Sequence, residues 1–238
     1  MEALDDGKPI EKILIRKGLQ GENFQKLFQR IRKEKVPFQM VPVEKLNRVT
    51  RKNHQGIIAF GALIEYQSLH QVLPMIFEQG ETPMLVLLDG ITDVRNLGAL
   101  ARSAECAGAH ALVIPEKGMA PVNAEAIKAS SGALSRIPVC RESSIPESIA
   151  FIRECGIGVA ALDEKGRESI YEADLTGPTA FVMGAEDRGV SAAVLKMADK
   201  ILTIPMKGRV ASLNVSVATG VVLFEALRQR NVDGGQGS

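Results

Sequence analysis

Three polar stretches of the sequence could do chemistry, and each follows a short apolar run of strand type. Residues 89–102 contain Asn96 and Arg102, and residues 184–189 place Glu186 between two glycines. Amide, guanidinium and carboxylate groups can position a substrate and stabilise developing charge without forming a covalent intermediate. These two stretches therefore favour a site that works by positioning and electrostatics.

The third stretch, residues 204–218, leads from a strand into a helix. β-Branched residues predict a strand over 201–204, and apolar residues at helical spacing predict a helix over 213–229 with Ser212 as its N-cap. We expect Asn214 to lie at the helix N-terminus, where unpaired backbone N–H groups can face a ligand. An ordinary strand-to-helix turn with a good cap is the alternative that this stretch alone leaves open.

The common signatures of nucleotide, metal and nucleophile sites do not occur in the sequence. There is no GxGxxG after a strand and no HExxH, and residues 184–189 have the glycine spacing of a phosphate loop without the Lys that must follow it. The three histidines, His54, His70 and His110, are scattered along the chain. We therefore predict no metal site and no Ser-His-Asp set.

The order of the predicted elements indicates an α/β fold. Strands are predicted at 84–88, 111–114, 137–139, 157–161, 179–183 and 201–204. Helices are predicted between and after them at 97–107, 123–131, 146–155, 190–198 and 213–229. Short apolar strands that alternate with helices indicate a parallel sheet covered on both faces. Ligands bind beyond the carboxyl ends of such strands, which is where the three polar stretches lie.

The sequence divides into a small domain, a linker and a larger domain. Residues 1–65 predict a small α/β module with three strands and two helices. Residues 66–82 contain Pro74, Gly80 and only a weak apolar helix, so we interpret them as a linker. Residues 83–238 then form the domain with the parallel sheet.

The charge is distributed unevenly between these parts. Residues 1–65 carry 13 Lys and Arg against 8 Asp and Glu, and the remaining residues carry 16 against 20. An excess of positive charge favours contact with a polyanion. The candidate nucleic-acid contacts lie in one polar loop of the first module, at Arg48, Arg51, Lys52 and His54. A basic loop that only increases solubility is the alternative.

The cysteines and the amino terminus predict a cytoplasmic location. Cys106, Cys140 and Cys155 are an odd number without CxxC spacing, which is typical of reduced thiols. The first residues have neither a basic start nor an apolar run, and no stretch approaches the roughly 20 apolar residues of a spanning helix. We therefore expect no export signal and no membrane segment.

Taken together, the three polar stretches resemble the three motifs of the SpoU/TrmH family, SPOUT-class RNA methyltransferases that act on the ribose 2′-oxygen. The matching residues, in the family's order, are Asn96-Leu-Gly98-Ala-Leu-Ala-Arg102, Val182-Met-Gly184-Ala-Glu186, Ile204-Pro-Met206 and Ser212-Leu-Asn-Val-Ser216-Val-Ala. The first module, with His54-Gln-Gly56, is similar to the substrate-binding domain of the branch that methylates a guanosine in large-subunit (23S) ribosomal RNA.

The resemblance implies a fold, a cofactor and an assembly that periodicity could not reveal. The sheet domain is expected to contain a trefoil knot, to bind S-adenosylmethionine without a metal, and to form a homodimer across its site. The cofactor-binding residues implied by the match are Gly184, Ile204, Met206 and Leu213.

The resemblance also implies catalytic roles. It assigns to Arg102 the activation of the ribose hydroxyl. A guanidinium has no acceptor for a proton at neutral pH, so Arg102 would act by binding a phosphate and stabilising alkoxide charge. Asn96 and Asn214 would orient Arg102 and the ribose. Glu186 and Ser212 would fix the loops, and for these two a purely structural role as caps is the alternative.

Three readings of the function remain at this point. We predict methylation of ribosomal RNA; methylation of transfer RNA and a catalytically silent RNA-binding or ribosome-assembly protein are the alternatives. Related proteins carry a preceding strand and part of a helix, so we expect the RNA-binding module at 1–65 to be shortened at its start.

Overall fold

The first unit of the chain is a three-stranded sheet with a helix on each face. The computed structural model describes residues 10–34, 36–209 and 212–234, so the predicted shortening of the amino terminus lies outside the described residues. The elements of the first unit are β1 (Ile10–Arg16), α1 (Glu22–Lys33), β2 (Phe38–Val41), α2 (Val43–Val49) and β3 (Ile57–Gly61). The central strand β1 pairs with β2 in parallel and with β3 in antiparallel orientation.

Successive side chains of β1 point to opposite faces of the sheet and are apolar on both, which explains why both faces are covered. Ile13 and Ile15 point toward α1, where they pack with Leu27 and Ile31. Leu14 points the other way and packs with Leu46 of α2. The second unit begins after Glu65.

The second unit is built on one eight-stranded sheet in which every pair of strands is parallel. The strands are β4 (Tyr66–Gln67), β5 (Met84–Asp89), β6 (Ala111–Pro115), β7 (Val139–Glu142), β8 (Gly158–Leu162), β9 (Glu168–Ser169), β10 (Thr179–Gly184) and β11 (Lys200–Thr203). Their order across the sheet is β4-β7-β6-β5-β10-β8-β11-β9. The prediction of an α/β fold with a parallel sheet is confirmed, and the trefoil knot stays a prediction.

Six helices of the described chain cover this sheet. They are α3 (Leu69–Glu78), α4 (Val94–Cys106), α5 (Ala124–Ala129), α6 (Ile145–Glu154), α7 (Ala192–Met197) and α8 (Val215–Gly234), and a short 3-10 helix spans Ala133–Ser135. Helices α3, α6 and α7 pack into one core with β5 to β8 and β10, while α4 packs against α5 and α8. No helix within the described ranges is long and apolar enough to cross a membrane.

The segment predicted as a linker, residues 66–82, requires a correction. Twelve of its residues form β4 and α3, which belong to the second unit. Four apolar side chains of α3 are buried in the core, those of Leu69, Val72, Leu73 and Ile76, whereas Met75 and Phe77 are exposed. The backbone N–H of Leu69 donates to Oε1 of Glu142 at 2.7 Å. The sequence pattern looked weak because a proline, Pro74, lies inside the helix and because the partner at position 142 is distant in sequence.

Candidate active site

The carboxyl ends of β8, β10 and β11 open into a cavity of about 520 Å³. Neighbouring parallel strands end at the same edge of a sheet, so loops from separate parts of the chain meet there. The walls come from residues 162–165 after β8, 183–189 around the end of β10, and 202–206 around the end of β11. They also include Ser212, Leu213, Val215 and Ala218 at the start of α8.

The side chain of Asp93 caps helix α4. Its Oδ1 accepts hydrogen bonds from the backbone N–H groups of Arg95 at 2.8 Å and Asn96 at 2.9 Å. Two of the orphan donors of the first turn are therefore satisfied without the Asn96 side chain. That side chain is left free to take part in the contacts of the site.

Asn214 joins the three polar stretches through its amide group. Its Nδ2 donates to Oδ1 of Asn96 at 3.1 Å and to Oε1 of Glu186 at 2.5 Å. Its Oδ1 accepts from the backbone N–H of Ser216 at 2.9 Å and from the Ser216 hydroxyl at 2.5 Å. Because all four bonds depend on the orientation of one amide, Asn214 fixes the three stretches relative to one another.

The N-cap of α8 corrects the sequence prediction. The helix begins at Val215, and the bond from Ser216 N–H to Oδ1 makes Asn214, not Ser212, its capping residue. Ser212 is exposed and lies two residues farther out, where it lines the cavity. Ser and Asn are equally good N-caps, so residue type could not decide between them.

The loop after β10 turns back on itself within five residues. The N–H of Ala185 donates to the carbonyl oxygen of Gly189 at 3.1 Å, and the N–H of Gly189 donates to the carbonyl oxygen of Ala185 at 2.8 Å. A Cβ on Gly184 would overlap the backbone of Gly189 and Val190. Gly184 is therefore required for the loop to close, which is what holds Glu186 beside Asn214.

The apolar residues predicted to bind the cofactor also belong to the walls of the cavity. Ile204, Met206 and Leu213 all line the cavity. Met206 is 41% exposed and Leu213 is 37% exposed, although both are large apolar side chains. Apolar side chains left exposed inside a concave site favour a ligand with an apolar or aromatic part.

Arg102 is not brought into this network within one chain. It lies six residues after Asn96 on α4, about 9 Å along the helix axis and on a different side of it. Its side chain is exposed and has no hydrogen bond or ion pair to any other residue in the part of the chain that the structure describes. Its catalytic role remains a prediction.

The residues of the first unit that were predicted to contact RNA differ in exposure and in hydrogen bonding. Arg51 and Lys52 are exposed, as is Arg48 at the end of α2. His54 is instead engaged by its surroundings: its Nδ1 accepts from the N–H of Gly56 at 3.0 Å, and its Nε2 is 2.9 Å from Oδ1 of Asn47. The first bond makes Nε2 the protonated nitrogen, so both ring atoms maintain the shape of the loop.

Sequence reasoning missed the fourth wall of the cavity, which is the loop after β8. The signal that could have identified it is Gly166, whose Cβ would lie 2.5 Å from the backbone carbon of Leu202. A glycine shortly after a strand end marks such close approaches of backbone segments.

The histidines in the described residues serve structural contacts. His110 accepts a hydrogen bond at Nδ1 from the N–H of Met84 at 3.0 Å, and burial lowers its pKa. The ring of His70 packs on Phe151 with 3.9 Å between centroids. No group of three or more metal-ligating side chains occurs in the ranges that the structure describes.

Comparison with known proteins identifies relatives over most of the chain. The model of the SpoU rRNA Methylase family matches residues 83–224, and a model described as RNA 2'-O ribose methyltransferase substrate binding matches residues 1–67. The chain is 45% identical over 179 residues to the 23S rRNA (guanosine-2'-O-)-methyltransferase RlmB of Photorhabdus laumondii, which covers 75% of this chain and 72% of that protein. The Escherichia coli K12 RlmB is 35% identical, with 93% and 91% covered.

A solved structure extends the likeness to three dimensions. The SpoU methyltransferase AviRb from Streptomyces viridochromogenes, crystallised with the cofactor AdoMet, superimposes with a TM-score of 0.65. The two chains are 27% identical, and the match covers 97% of this chain and 87% of that chain. With its parallel sheet, its cavity and its three joined motifs, this chain belongs to the SpoU rRNA methylase family.

Proposed function

We propose that this protein transfers the methyl group of S-adenosylmethionine to the ribose 2′-hydroxyl of a guanosine in large-subunit ribosomal RNA. The observation that carries the proposal is the meeting of Asn96, Glu186 and Asn214 beside the cavity. The reaction class and substrate are supported by the two guanosine methyltransferases, which share 45% and 35% of their aligned residues with this chain.

The lining of the cavity fits S-adenosylmethionine. The exposed side chains of Met206 and Leu213 suit the adenine ring, and the chain at Gly184, the last residue of β10, and at Ile204, just after β11, contributes to the wall. When bound, the cofactor supplies an electrophilic methyl group on sulfur.

The residues of the chain would then position and activate the ribose. A 2′-hydroxyl is a poor nucleophile until its proton is relieved and its oxygen is aligned. Glu186 accepts one N–H of the Asn214 amide, and the other N–H donates to Oδ1 of Asn96. Asn214 would thereby hold Asn96 in place, and the Asn96 side chain would orient the ribose. Arg102 would grip the adjacent phosphate and stabilise developing alkoxide charge, while that phosphate or water takes the proton.

Two substitutions of Asn214 should distinguish its role in joining the three stretches from its role as the N-cap of α8. In Asn214→Ala we expect methyl transfer to fall about 10²-fold, since three stretches lose their common partner, and stability to fall by about 0.5–2 kcal/mol with the lost cap. Asn214→Ser retains a capping oxygen but no Nδ2 donor. Its unfolding midpoint should return toward that of the parent protein while its turnover stays low. Recovery of turnover in the Ser variant would show that Asn214 acts only as a cap.

The first unit is proposed to bind the RNA substrate. Its 13 basic residues against 8 acidic ones give it the positive balance that a phosphate backbone requires. The exposed Arg48, Arg51 and Lys52 would contact phosphates, and His54 would maintain the loop that presents them.

Loss of Arg51 and Lys52 should appear in the salt dependence of RNA binding. Changing both to Ala is expected to weaken binding and to reduce the slope of log K against log salt by roughly one for each phosphate that the variant no longer neutralises. Lys26→Ala is the control, because that Lys is an exposed residue of the same unit paired with Glu22 at 2.7 Å. An unchanged slope in the double variant would remove this loop from the RNA interface.

A homodimer is proposed on the exposed apolar side of α8. Val217 is 51% exposed and Phe224 is 48% exposed, and with Val221 they share one face of the helix. An apolar stripe beside a functional site is typical of a surface that a second copy covers. Sedimentation equilibrium should give twice the 25.6 kDa chain mass, and a monomer mass at micromolar concentration would contradict this proposal.

The choice of RNA class can be tested directly. Ribosomal and transfer RNA, purified separately from cells that lack this protein, would be offered together with labelled S-adenosylmethionine. We expect label in large-subunit RNA. Label confined to transfer RNA would support the alternative branch of the family, and cofactor binding without label on any RNA would support a silent RNA-binding protein.

A further inference from the structure

The loop after β8 forms a wall of the cavity that none of the three motif stretches supplies. Leu162, Asp163, Glu164 and Lys165 all line the cavity. Strand β8 lies between β10 and β11, so its carboxyl end opens between the second and third stretches. The loop therefore reaches the same space as the proposed cofactor.

Backbone contacts hold this loop in place. The N–H of Asp163 donates to the carbonyl oxygen of Leu202 at 3.0 Å, and the N–H of Gly166 donates to the carbonyl oxygen of Asp163 at 3.0 Å. A Cβ on Gly166 would lie 2.5 to 2.8 Å from backbone atoms of Leu202 and Thr203, so the loop and β11 are in direct backbone contact. The backbone at Asp163 is thus fixed before any ligand arrives.

The carboxylate of Asp163 has one oxygen engaged and one available. Oδ1 accepts a hydrogen bond from the N–H of Lys165 at 2.9 Å. Oδ2 lies 3.3 Å from the position that a Cβ on Gly189 would occupy, which places it against the loop after β10. No residue in the described part of the chain donates a hydrogen bond to Oδ2. Asp163 lines the cavity and is half-buried, so its carboxylate gains more from a ligand donor than an exposed carboxylate would.

We propose that Asp163 binds the cofactor by accepting, at Oδ2, a hydrogen bond from one of its donor groups. S-adenosylmethionine carries such donors on its ribose, its adenine and its α-ammonium group, and hydrogen bonds to an ionised carboxylate are stronger than neutral ones. This inference rests on the proposed function, because it names a ligand contact in the same cavity.

The test is calorimetric binding of S-adenosylmethionine to Asp163→Asn, with Glu164→Gln as the matched control. Asn retains an oxygen for the N–H of Lys165, so the loop keeps its shape, and each variant removes one negative charge from the same wall. We expect Asp163→Asn to weaken binding about tenfold or more and Glu164→Gln to stay within about twofold of the parent protein. Equal weakening in both variants would overturn the proposal, because it would reflect loop charge alone.

Two neutral analogues identify the donor. S-adenosylhomocysteine lacks the sulfonium charge but keeps the ammonium group, and 5′-methylthioadenosine lacks both. Weakening for both analogues assigns the donor to the adenosine part, and weakening for S-adenosylhomocysteine alone assigns it to the ammonium group. Weakening for S-adenosylmethionine alone would overturn the proposal, since attraction between charges would then explain the effect.

Two further results keep this inference separate from the proposed function. If the parent protein binds none of the three ligands, the proposed function fails; if the parent protein and Asp163→Asn bind equally well, only the role of Asp163 fails. Should Asp163→Asn unfold at a lower temperature than the parent protein, Asp163→Ser provides a second variant. Its hydroxyl can still accept from Lys165 N–H and leaves no second oxygen for the ligand.

Discussion

Replacing Arg102 with Ala is expected to lower turnover by about 10²–10⁴-fold while cofactor affinity stays near that of the parent protein. The reason is the position of Arg102: it is exposed on α4 and lies outside both the cavity lining and the hydrogen bonds of Asn214. A residue so placed can act on the RNA but contributes little to the pocket. Single-turnover methyl transfer and calorimetry with S-adenosylmethionine measure the two quantities separately.

Arg95→Ala is the matched control for this prediction. Arg95 lies on the same helix, is exposed, and forms a surface ion pair with Glu125 at 2.9 Å. Surface pairs of this kind contribute little to stability, so its turnover should remain close to that of the parent protein. A parallel loss of cofactor affinity and rate in Arg102→Ala would make Arg102 structural, and an equal loss in both variants would indicate a general effect of charge on RNA binding.

Replacing Gly184 with Ala should destabilise the protein by at least about 3 kcal/mol and abolish cofactor binding. The added methyl group would overlap the backbone of Gly189 and Val190, and backbone cannot move aside as the tip of a side chain can. Opening the turn would also pull Glu186 away from the Asn214 amide. Chemical denaturation and calorimetry would record the two losses.

Gly177→Ala is the control for this effect, because no atom lies within 4 Å of its added Cβ and its φ is not in the left-handed region. We expect the Gly177 variant to unfold within about 1 kcal/mol of the parent protein. If Gly184→Ala folds with equal stability and binds the cofactor normally, the closed turn described for residues 185–189 is not needed by the site.

The sequence was sufficient to predict which residues come together, but not which hydrogen bonds hold them there. Asn96, Glu186 and Asn214 were predicted because polar residues that follow parallel strands must meet at one edge of the sheet. Their joint bonding to one amide could not be predicted, since it depends on contacts spanning 118 residues between Asn96 and Asn214. Asn96 itself was freed for that contact because Asp93 caps the helix.

The parts of the fold that were missed depend on distant partners. Strands β4 and β9 contain two residues each, which is too short for any alternation of apolar residues to show. The wall of the cavity at Asp163 is fixed by Leu202, which lies in a strand much later in the chain. Local patterns carry no information about such pairings, whereas the longer strands β5 and β10 are largely apolar and were recognisable.

The most direct test of the account is the identity of the labelled nucleotide. Large-subunit RNA from cells that lack this protein would be methylated with labelled S-adenosylmethionine, digested with nucleases and mapped. We predict a single labelled site, a guanosine methylated on its ribose 2′-oxygen, and loss of that label with Asn214→Ala. Label on a base, or label spread over many nucleotides, would contradict the proposal that Asn96, held by Asn214, orients a single ribose hydroxyl.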